Sequence, residues 1–445
     1  MTRQALSGWG RAVATTAEVS YPADVAAVQR AVLEAREAPA GRGLLTRGLG
    51  RSYGDAAMNA GGQVLRLSAF DTIGIPARDG TIEIGAGASL HDVLARIVPQ
   101  GWFVPVTPGT RQVTMGGAVS SDVHGKNHHR DGSLGSHLTF VDIVDGTGQA
   151  RRLTPDDALF SAVVGGMGLA AVITRVGLRL RPIQTSSMTV HTTRTRDLEE
   201  TMAQLVADDE GYRYTVAWLD TLAPGASLGR GVVTSGEHAP QGMPGSRPLA
   251  DYRARALAPA TPWAPQGLLT PRLVRAFNEA YYRRAPAQPT TDVQSIPAFF
   301  HPLDVLTGWN RLYGRRGFLQ YQFVVPDPAA VERFVVTLQR HRVPGLLAVL
   351  KRFGPAAPAP LSFPRPGWTL AVDMPAHPSL GALLDRLDED VVSAGGRQYF
   401  AKDGRMRPEL VRVMYPRLDE WRTLRAQSDP DHVFTSDLAR RLDLC

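Results

Sequence analysis

Cysteine is almost absent from this 445-residue chain, and the single one, Cys445, is its last residue. That excludes an internal disulfide, an iron–sulfur cluster and a cysteine nucleophile in the core, and it leaves the redox compartment open. Nowhere do 18 apolar residues run together, and MTRQALSGWGRAVATTAEV at the start lacks the apolar stretch of a secretory signal. No membrane-spanning segment is therefore expected. Strong charge is lacking too: 49 basic and 42 acidic residues give +7, mild for this length. The basic residues are scattered, no block resembles a nucleic-acid arm, and nucleic acid is not an expected partner. The small excess still favours an anionic partner such as a phospholipid surface or a phosphorylated substrate. Hydrophobic content of 43% and charged content of 20% describe a folded protein, and the length exceeds what one core usually organises, so two domains are expected.

Glycine, by contrast, is plentiful, and three loops of the first 175 residues are dense in it. They read RGLGRSYGD (Arg47 to Asp55), PGTRQVTMGGAVSSDVHGKNHH (Pro108 to His129) and GGMGLAAVITR (Gly165 to Arg175). Glycine beside small or hydroxyl residues lets backbone N–H groups reach an anion that side chains would crowd out. Together the loops point to a large phosphate-bearing cofactor. A dinucleotide fingerprint of the Rossmann type fits poorly: Gly48, Gly50 and Gly54 are spaced G-x-G-x-x-x-G, one residue too long. The loop also leads through Ala56 to Gly62 into a strand-like VLRLS and not into a helix, although Asp71 stands at about the distance that motif expects.

The remaining pattern is of mixed α+β type. DVAAVQRAVLEAREA (Asp24 to Ala38) and SLHDVLARIV (Ser89 to Val98, with a Ser cap) read as helices. GLLTRG, VLRLS, TIEIGAG and FVPV read as strands, TFVDIVDGTGQARRLTP as a hairpin around Asp145 to Gly148, and LAAVITRVGLRLRPI as a long strand ending near Ile183. After residue 185 come longer, more aromatic strands: SMTVHTT, YTVAWLD, FLQYQFVVP and WTLAVDMP, with helices AAVERFVVTLQRH and SLGALLDRLDEDVVSAG between or after them. Seven prolines and five arginines oppose one acidic residue, Asp251, between His238 and Asn278, with Leu257, Trp263, Leu268 and Leu269 interspersed. That stretch reads as a mobile, basic, partly apolar surface loop, lipid-facing or simply an insertion. The end of the chain, with strand-like Arg397 to Ala401 and a helix through MYPRLDEWRTLRAQ, is expected to pack back on the first domain. The division is thus 1–185, 186–396 and 397–445.

Taken together, LSGWGR, RGLGRSYGD, VPVTPGTRQVTMGGA, DVHGKNHH, HPLD and WNR, GFLQYQFVVP, PLSFPRPGW, YFAKD, MYPRLDEW and SDLARRL resemble the vanillyl-alcohol-oxidase type (PCMH-type) flavoproteins over nearly the whole chain. The resemblance implies a two-domain FAD-binding fold with an inserted substrate domain built on an antiparallel sheet. It implies oxidation of the ribose 2′-hydroxyl of decaprenylphosphoryl-β-D-ribose, or a similar polyprenylphosphoryl ribose, to the ketone, the first half of an epimerisation to the arabinose donor for cell-wall arabinan. A short-chain-type reductase would complete that epimerisation, and the lipid substrate implies peripheral membrane contact, with the periplasmic face favoured. Two other readings stand beside it: an aldonolactone or alditol oxidase of soluble sugars, and a non-catalytic flavin- or lipid-binding protein.

By the same resemblance FAD is held by Gly50, Arg51, Ser52, Tyr53 and Gly54, by Gly109, Thr110, Gly116 and Gly117, and by Ser121, Asp122, His124, Gly125, Asn127, Val172, Tyr399 and Ala401. Arg51 takes the place where related oxidases carry a histidine bonded to the flavin, so noncovalent FAD is expected. His124 and Lys402 are the expected catalytic residues, with Lys126 close by. Trp218, Tyr313, Gln320, Gln322, Lys351 and Lys402 are expected to contact substrate, and Arg311 is a further pocket candidate. Gln320 and Gln322 alternate on one strand and share a face, with Tyr321 on the other. His124 and His128 have the i, i+4 spacing of a helical metal pair, with His129 beside them, but Gly125 argues for a turn, and no metal site is expected. Mycobacterial members carry a cysteine where this chain has Ala371, so thiol chemistry is not needed here.

Overall fold

The computed structural model describes residues 1–38, 42–254 and 262–445; Leu257 of the basic stretch lies outside the described residues. Two four-stranded sheets occupy the first 185 residues. In one, Thr2–Ser7 and Ala14–Ser20 are antiparallel neighbours, and Ala14–Ser20 and Leu44–Thr46 both run parallel to Gln63–Leu65. Parallel pairing needs a crossover, and helix Val25–Glu37 supplies it, capped by Asp24, whose carboxylate accepts from the Ala27 N–H at 2.7 Å. The other sheet is antiparallel, in the order Thr81–Gly85, Val172–Arg179, Leu138–Val144, Ala150–Leu153. Helix Leu90–Ile97 follows its strand Thr81–Gly85 in the chain and begins as the Ser cap requires, the Ser89 hydroxyl accepting from the Asp92 N–H at 3.1 Å. Of FVPV only Phe103 is strand, as the end of the two-residue Trp102–Phe103.

The third sheet has eight strands, all antiparallel, in the order Thr290–Ser295, Ser187–Thr195, Gly231–His238, Tyr214–Leu219, Ala348–Phe353, Gly367–Pro375, Phe318–Val325, Arg397–Gln398. Its two faces are treated differently. Helices Leu198–Gly211, Pro328–Arg340 and Gly381–Ser393 pack against the sheet, and Tyr321 turns toward the last of them, its hydroxyl donating to Asp388 at 2.8 Å. On the opposite face the register aligns Gln322, Ala371, Val349 and Trp218 in one cross-strand row, with Gln320 opposite Asp373 one step along. Gln322, Ala371, Val349 and Gln320 border the main cavity of the molecule.

The strands Gly231–His238, Thr290–Ser295 and Ala348–Phe353 were not legible in the sequence; TTDVQS is polar at an edge and AVLKRF is interrupted by charge. The basic stretch also differs from its reading as a loop, because its end enters the helix Pro271–Arg284, capped by Thr270 with proline in its first turn.

Arg397–Gln398 still belongs to the large sheet, so the chain crosses back only after Gln398. Beyond it the carbonyl of Ala401 accepts from the Tyr53 N–H at 2.8 Å. Arg441 grips Asp55 with two hydrogen bonds, at 2.7 and 2.8 Å, and reaches Asp403 at 2.9 Å. Fully buried Trp421 donates to the Ala162 carbonyl at 3.0 Å, and buried Arg425 donates to those of Leu169 at 2.7 Å and Phe434 at 2.8 Å. The first glycine loop and the last segment touch backbone to backbone, for a Cβ on Gly54 would lie 1.8 Å from the Asp403 carbonyl oxygen. Gly54→Ala is therefore expected to force the two apart and to cost about 1–3 kcal/mol, as overpacking does, read as a lowered denaturant midpoint.

Candidate active site

Between the glycine loops and the open face of the large sheet lies a cavity of about 340 Å³, within the range of small-molecule and cofactor sites. Sixteen expected residues border it: Gly50, Arg51, Ser52, Tyr53, Gly109, Thr110, Gly116, Gly117, Ser121, His124, Gln320, Gln322, Lys351, Tyr399, Ala401 and Lys402. Ala371 does so as well. The third glycine loop contributes Met167 and Gly168, both with positive φ.

Other expected residues do not border the cavity and support it instead. Asp122 adopts a left-handed turn and is fully buried, its carboxylate accepting from the hydroxyls of Ser133 at 2.6 Å and Ser362, and from the Gly135 N–H at 2.8 Å. It braces the turn that presents His124. Asn127 donates to the Pro105 carbonyl at 2.8 Å and to Asp131 at 2.6 Å. Gly54 and Gly125 permit close backbone approach, to Asp403 and Thr107 respectively. Val172 is core, because strand alternation gives the cavity Ile173 instead. Trp218 continues the cross-strand row beyond the cavity, where Tyr281 covers it at 4.6 Å between rings. Tyr313 stacks on Phe318 at 4.2 Å, and Arg311 lies 5.7 Å from the Trp263 ring. Lys126 donates to the Phe299 carbonyl at 2.6 Å and lies 3.9 Å over that ring. The three histidines diverge: His124 meets Gln322, His128 accepts from the Gly354 N–H, and His129 meets the Tyr212 carbonyl. Asp71, the acid expected of a dinucleotide fingerprint, does not border the cavity.

The loops suit an anionic group. Among the described residues the backbone N–H groups of Gly48, Leu49, Gly50, Arg51 and Ser52 have no acceptor in the chain, and those of Gly109 and Thr110 have none either. Such successive free donors form an anion-binding nest. A Cβ on Gly109 would meet nothing within 4 Å, so this turn is open. The Arg51 guanidinium lies 3.8 Å over Trp9, itself edge-on to Trp309. Sequence reasoning missed Trp9, Trp309 and the latch made by Asp304, which accepts from the Thr110 hydroxyl at 2.7 Å and the Arg111 N–H at 2.8 Å. His301 makes a second latch to Thr107 at 2.8 Å.

Deeper in, the chemistry is set by burial. His124 is buried among Phe353, Phe363 and Tyr399 and its basicity falls well below the ordinary value, so it is neutral; Gln322 donates to its Nε2 at 3.0 Å, which places the proton on Nδ1. Burial lowers Lys351 to about 8. Burial also lowers Lys402 to about 7, with Asp373 opposing the change and Lys351 adding to it. A signal for these residues was present in the sequence and went unread: of the 49 basic residues only Lys126, Lys351 and Lys402 are lysine. Elsewhere positive charge is arginine, which stays ionised; lysine stands only where a cation's proton is sensitive to burial.

Nest and cavity suit a phosphate-bearing cofactor, and a family match makes the chain an FAD-dependent oxidoreductase. Residues 16–154 match the FAD binding domain family, and 374–442 match the D-arabinono-1,4-lactone oxidase family. The chain is 41% identical, over its full length and 98% of the other protein, to decaprenylphosphoryl-beta-D-ribose oxidase of Mycolicibacterium smegmatis. It is 41% identical to an uncharacterized protein of Streptomyces coelicolor, over 80% of this chain and all of that one. Cytokinin dehydrogenase 7 of rice is 28% identical over 41% of this chain and 36% of its own. The chain belongs to the decaprenylphosphoryl-β-D-ribose oxidase family.

Because Arg51 cannot bond to a flavin methyl, acid precipitation is expected to release all of the FAD into the supernatant, measured by its absorbance. Arg51→Ala, which removes the cation from the Trp9 stack and the nest, is expected to weaken FAD binding about tenfold or more in a fluorescence titration.

Proposed function

We propose that the protein oxidises the ribose 2′-hydroxyl of a polyprenylphosphoryl ribose, such as decaprenylphosphoryl-β-D-ribose, to the 2′-keto sugar, the first step of an epimerisation. Identity with the mycobacterial oxidase over the whole chain supports this reading, and one observation on the site carries it. Two weakly basic lysines and two amides share a single cavity with the nest: Lys402, Lys351, Gln320 and Gln322. FAD, when bound, supplies the two-electron acceptor for the hydride of the carbinol carbon. The nest of Gly48 to Ser52, with Gly109, Thr110 and Arg51, would hold its diphosphate. Gln322 meets the sugar with its amide oxygen, while its Nε2 donates to Thr369 and holds His124 in one tautomer. Lys351 is a compact cation suited to the phosphate of the donor. Lys402, as an amine, takes the hydroxyl proton.

Lactone oxidases match only part of this chain, whereas a lipid-borne sugar accounts for a further feature. Helix Pro271–Arg284 leaves Leu273, Phe277 and Tyr281 exposed on one stripe, at 43%, 48% and 43%. Arg272, Arg275, Arg283 and Arg284 are exposed around it, and Tyr281 touches Trp218 at the end of the cross-strand row. An apolar stripe bordered by arginines suits the surface of an anionic bilayer. This favours peripheral membrane contact, with the prenyl chain leaving the sugar site along the row. The keto product then calls for a carbonyl reductase, of the short-chain type, as partner.

Three outcomes are expected. A polyprenylphosphoryl ribose bleaches the bound flavin under anaerobic conditions, while free pentoses, alditols and aldonolactones do not. The rate constant of bleaching rises with pH through about 7 and then levels, since the acceptor must be unprotonated, and Lys402→Ala lowers it by about 10²-fold or more in stopped flow. Unchanged single-turnover reduction would remove Lys402 from the chemistry. Leu273→Glu with Phe277→Glu abolishes flotation with phosphatidylglycerol vesicles and leaves bleaching by a short-prenyl, water-soluble analogue intact.

A further inference from the structure

Among the buried ionisable groups near the cavity, Asp373 has no part in the reading above. It lies on strand Gly367–Pro375, two residues from Ala371 and so on the same sheet face, and is fully buried. Gln320, its partner in the register, donates to one carboxylate oxygen; the other, Oδ2, has no hydrogen-bond partner. A carboxyl group holding one oxygen unpaired away from water is unfavourable when ionised unless a nearby cation compensates it. The groups that face it come from four elements: Gln320 from the neighbouring strand, Tyr53 from the first glycine loop, Tyr313 from the short turn Trp309–Tyr313, and Lys402 from the returning segment. The phenol oxygen of Tyr313 is likewise buried without a partner. Only Lys402 among these brings a positive charge, and its Nζ lies 3.9 Å over the Tyr53 ring, with no carboxylate in direct contact among the described residues. Lys351 acts electrostatically on Lys402, and both lysines act on His124.

We infer that Asp373 is a positioning residue for the oxidation: its carboxylate is the buried counter-charge that sets whether Lys402 meets the sugar hydroxyl as amine or ammonium. The inference rests on the proposed function for its chemistry. Burial raises the Asp373 carboxyl to about 7 and lowers the Lys402 ammonium to about 7, so neither charge is secure without the other. In the reaction the sugar O–H bond breaks and its proton joins the pair, which passes from no proton to one, carried by Lys402. The C–H bond breaks with its electron pair leaving as hydride, so that the carbinol is oxidised and FAD is the group reduced. The ammonium so formed is stabilised by the negative charge that Asp373 retains. The proton is returned to solvent before the next turnover.

The scarcity of lysine makes this directly testable. In protein labelled with [¹³C,¹⁵N]lysine only three side chains give Cε signals, and loss of one in Lys402→Met assigns it. Titrated with FAD bound and without substrate, Lys402 in the native sequence is expected to change charge within about one pH unit of 7. Asp373→Asn, which removes the opposing negative charge, is expected to move that midpoint down by at least one unit, a tenfold change, and Asp373→Glu to restore most of it. The acid limb of the flavin-bleaching profile should move by the same amount, with the substrate KM little changed. A carboxylate that only held Gln320 in place would leave the lysine titration where it was. A Lys402 signal that stays ammonium to pH 9 in the native sequence overturns the inference, even if the variants fail to fold, and so does an unshifted midpoint in Asp373→Asn. Because the lysine signal is read without substrate, this result and the identity of the sugar lipid stand or fall separately.

Discussion

The close approach of two backbone segments, Arg51 to Gly54 and Tyr399 to Gly404, is the constraint from which the site follows. Gly54 has no room for a side chain against Asp403, the Tyr53 N–H ends on the Ala401 carbonyl, and Arg441 clamps Asp55 to Asp403. With the segments so joined, the first glycine loop cannot satisfy its own N–H groups by folding on itself. They remain turned to whatever anion enters the cavity. The same junction places Lys402 over the Tyr53 ring, at the border between nest and sheet.

The large sheet supplies the other wall through its register. A one-residue slip of Phe318–Val325 would exchange Gln320 and Gln322 for Tyr321 and Phe323, turning an amide-lined floor into an aromatic one. The pairing of Gln320 with Asp373 and of Gln322 with Ala371 holds the amides in place, and buried contacts of Tyr321 with Asp388 and Phe334 hold the other face. Latches from Asp304 and His301 then close the second glycine loop onto this layer. Electrostatics follows from the same enclosure: one histidine is kept neutral and two lysines are brought near neutrality, without any surface ion pair taking part.

Much of this was visible along the chain. Dense glycine beside hydroxyl residues marked the nest, alternation put Gln320 and Gln322 together, and helical spacing after Asp24 and a Ser cap at Ser89 marked two helices where they lie. Local pattern failed where local propensity was overruled. TTDVQS is a strand because it pairs with Ser187–Thr195, and the arginine-rich stretch enters a helix whose buried Asn278 donates to Asp220. Motif spacing also could not separate residues that border the cavity from those that brace it: Asp122, Gly125 and Asn127 stand in one short run with His124, yet only His124 borders the cavity.

By itself the sequence determined the chemistry available: phosphate-cradling loops, a thiol-free interior, three lysines and a pair of alternating amides. These depend on residue type and short-range geometry, which neighbours along the chain settle. Only the tertiary structure decided which groups meet, that Asp373 lies near Lys402, that Asp304 latches a loop 193 residues away, and how far each charge is removed from water. Those properties depend on distance and burial, and both are set by packing between segments that the linear order keeps far apart.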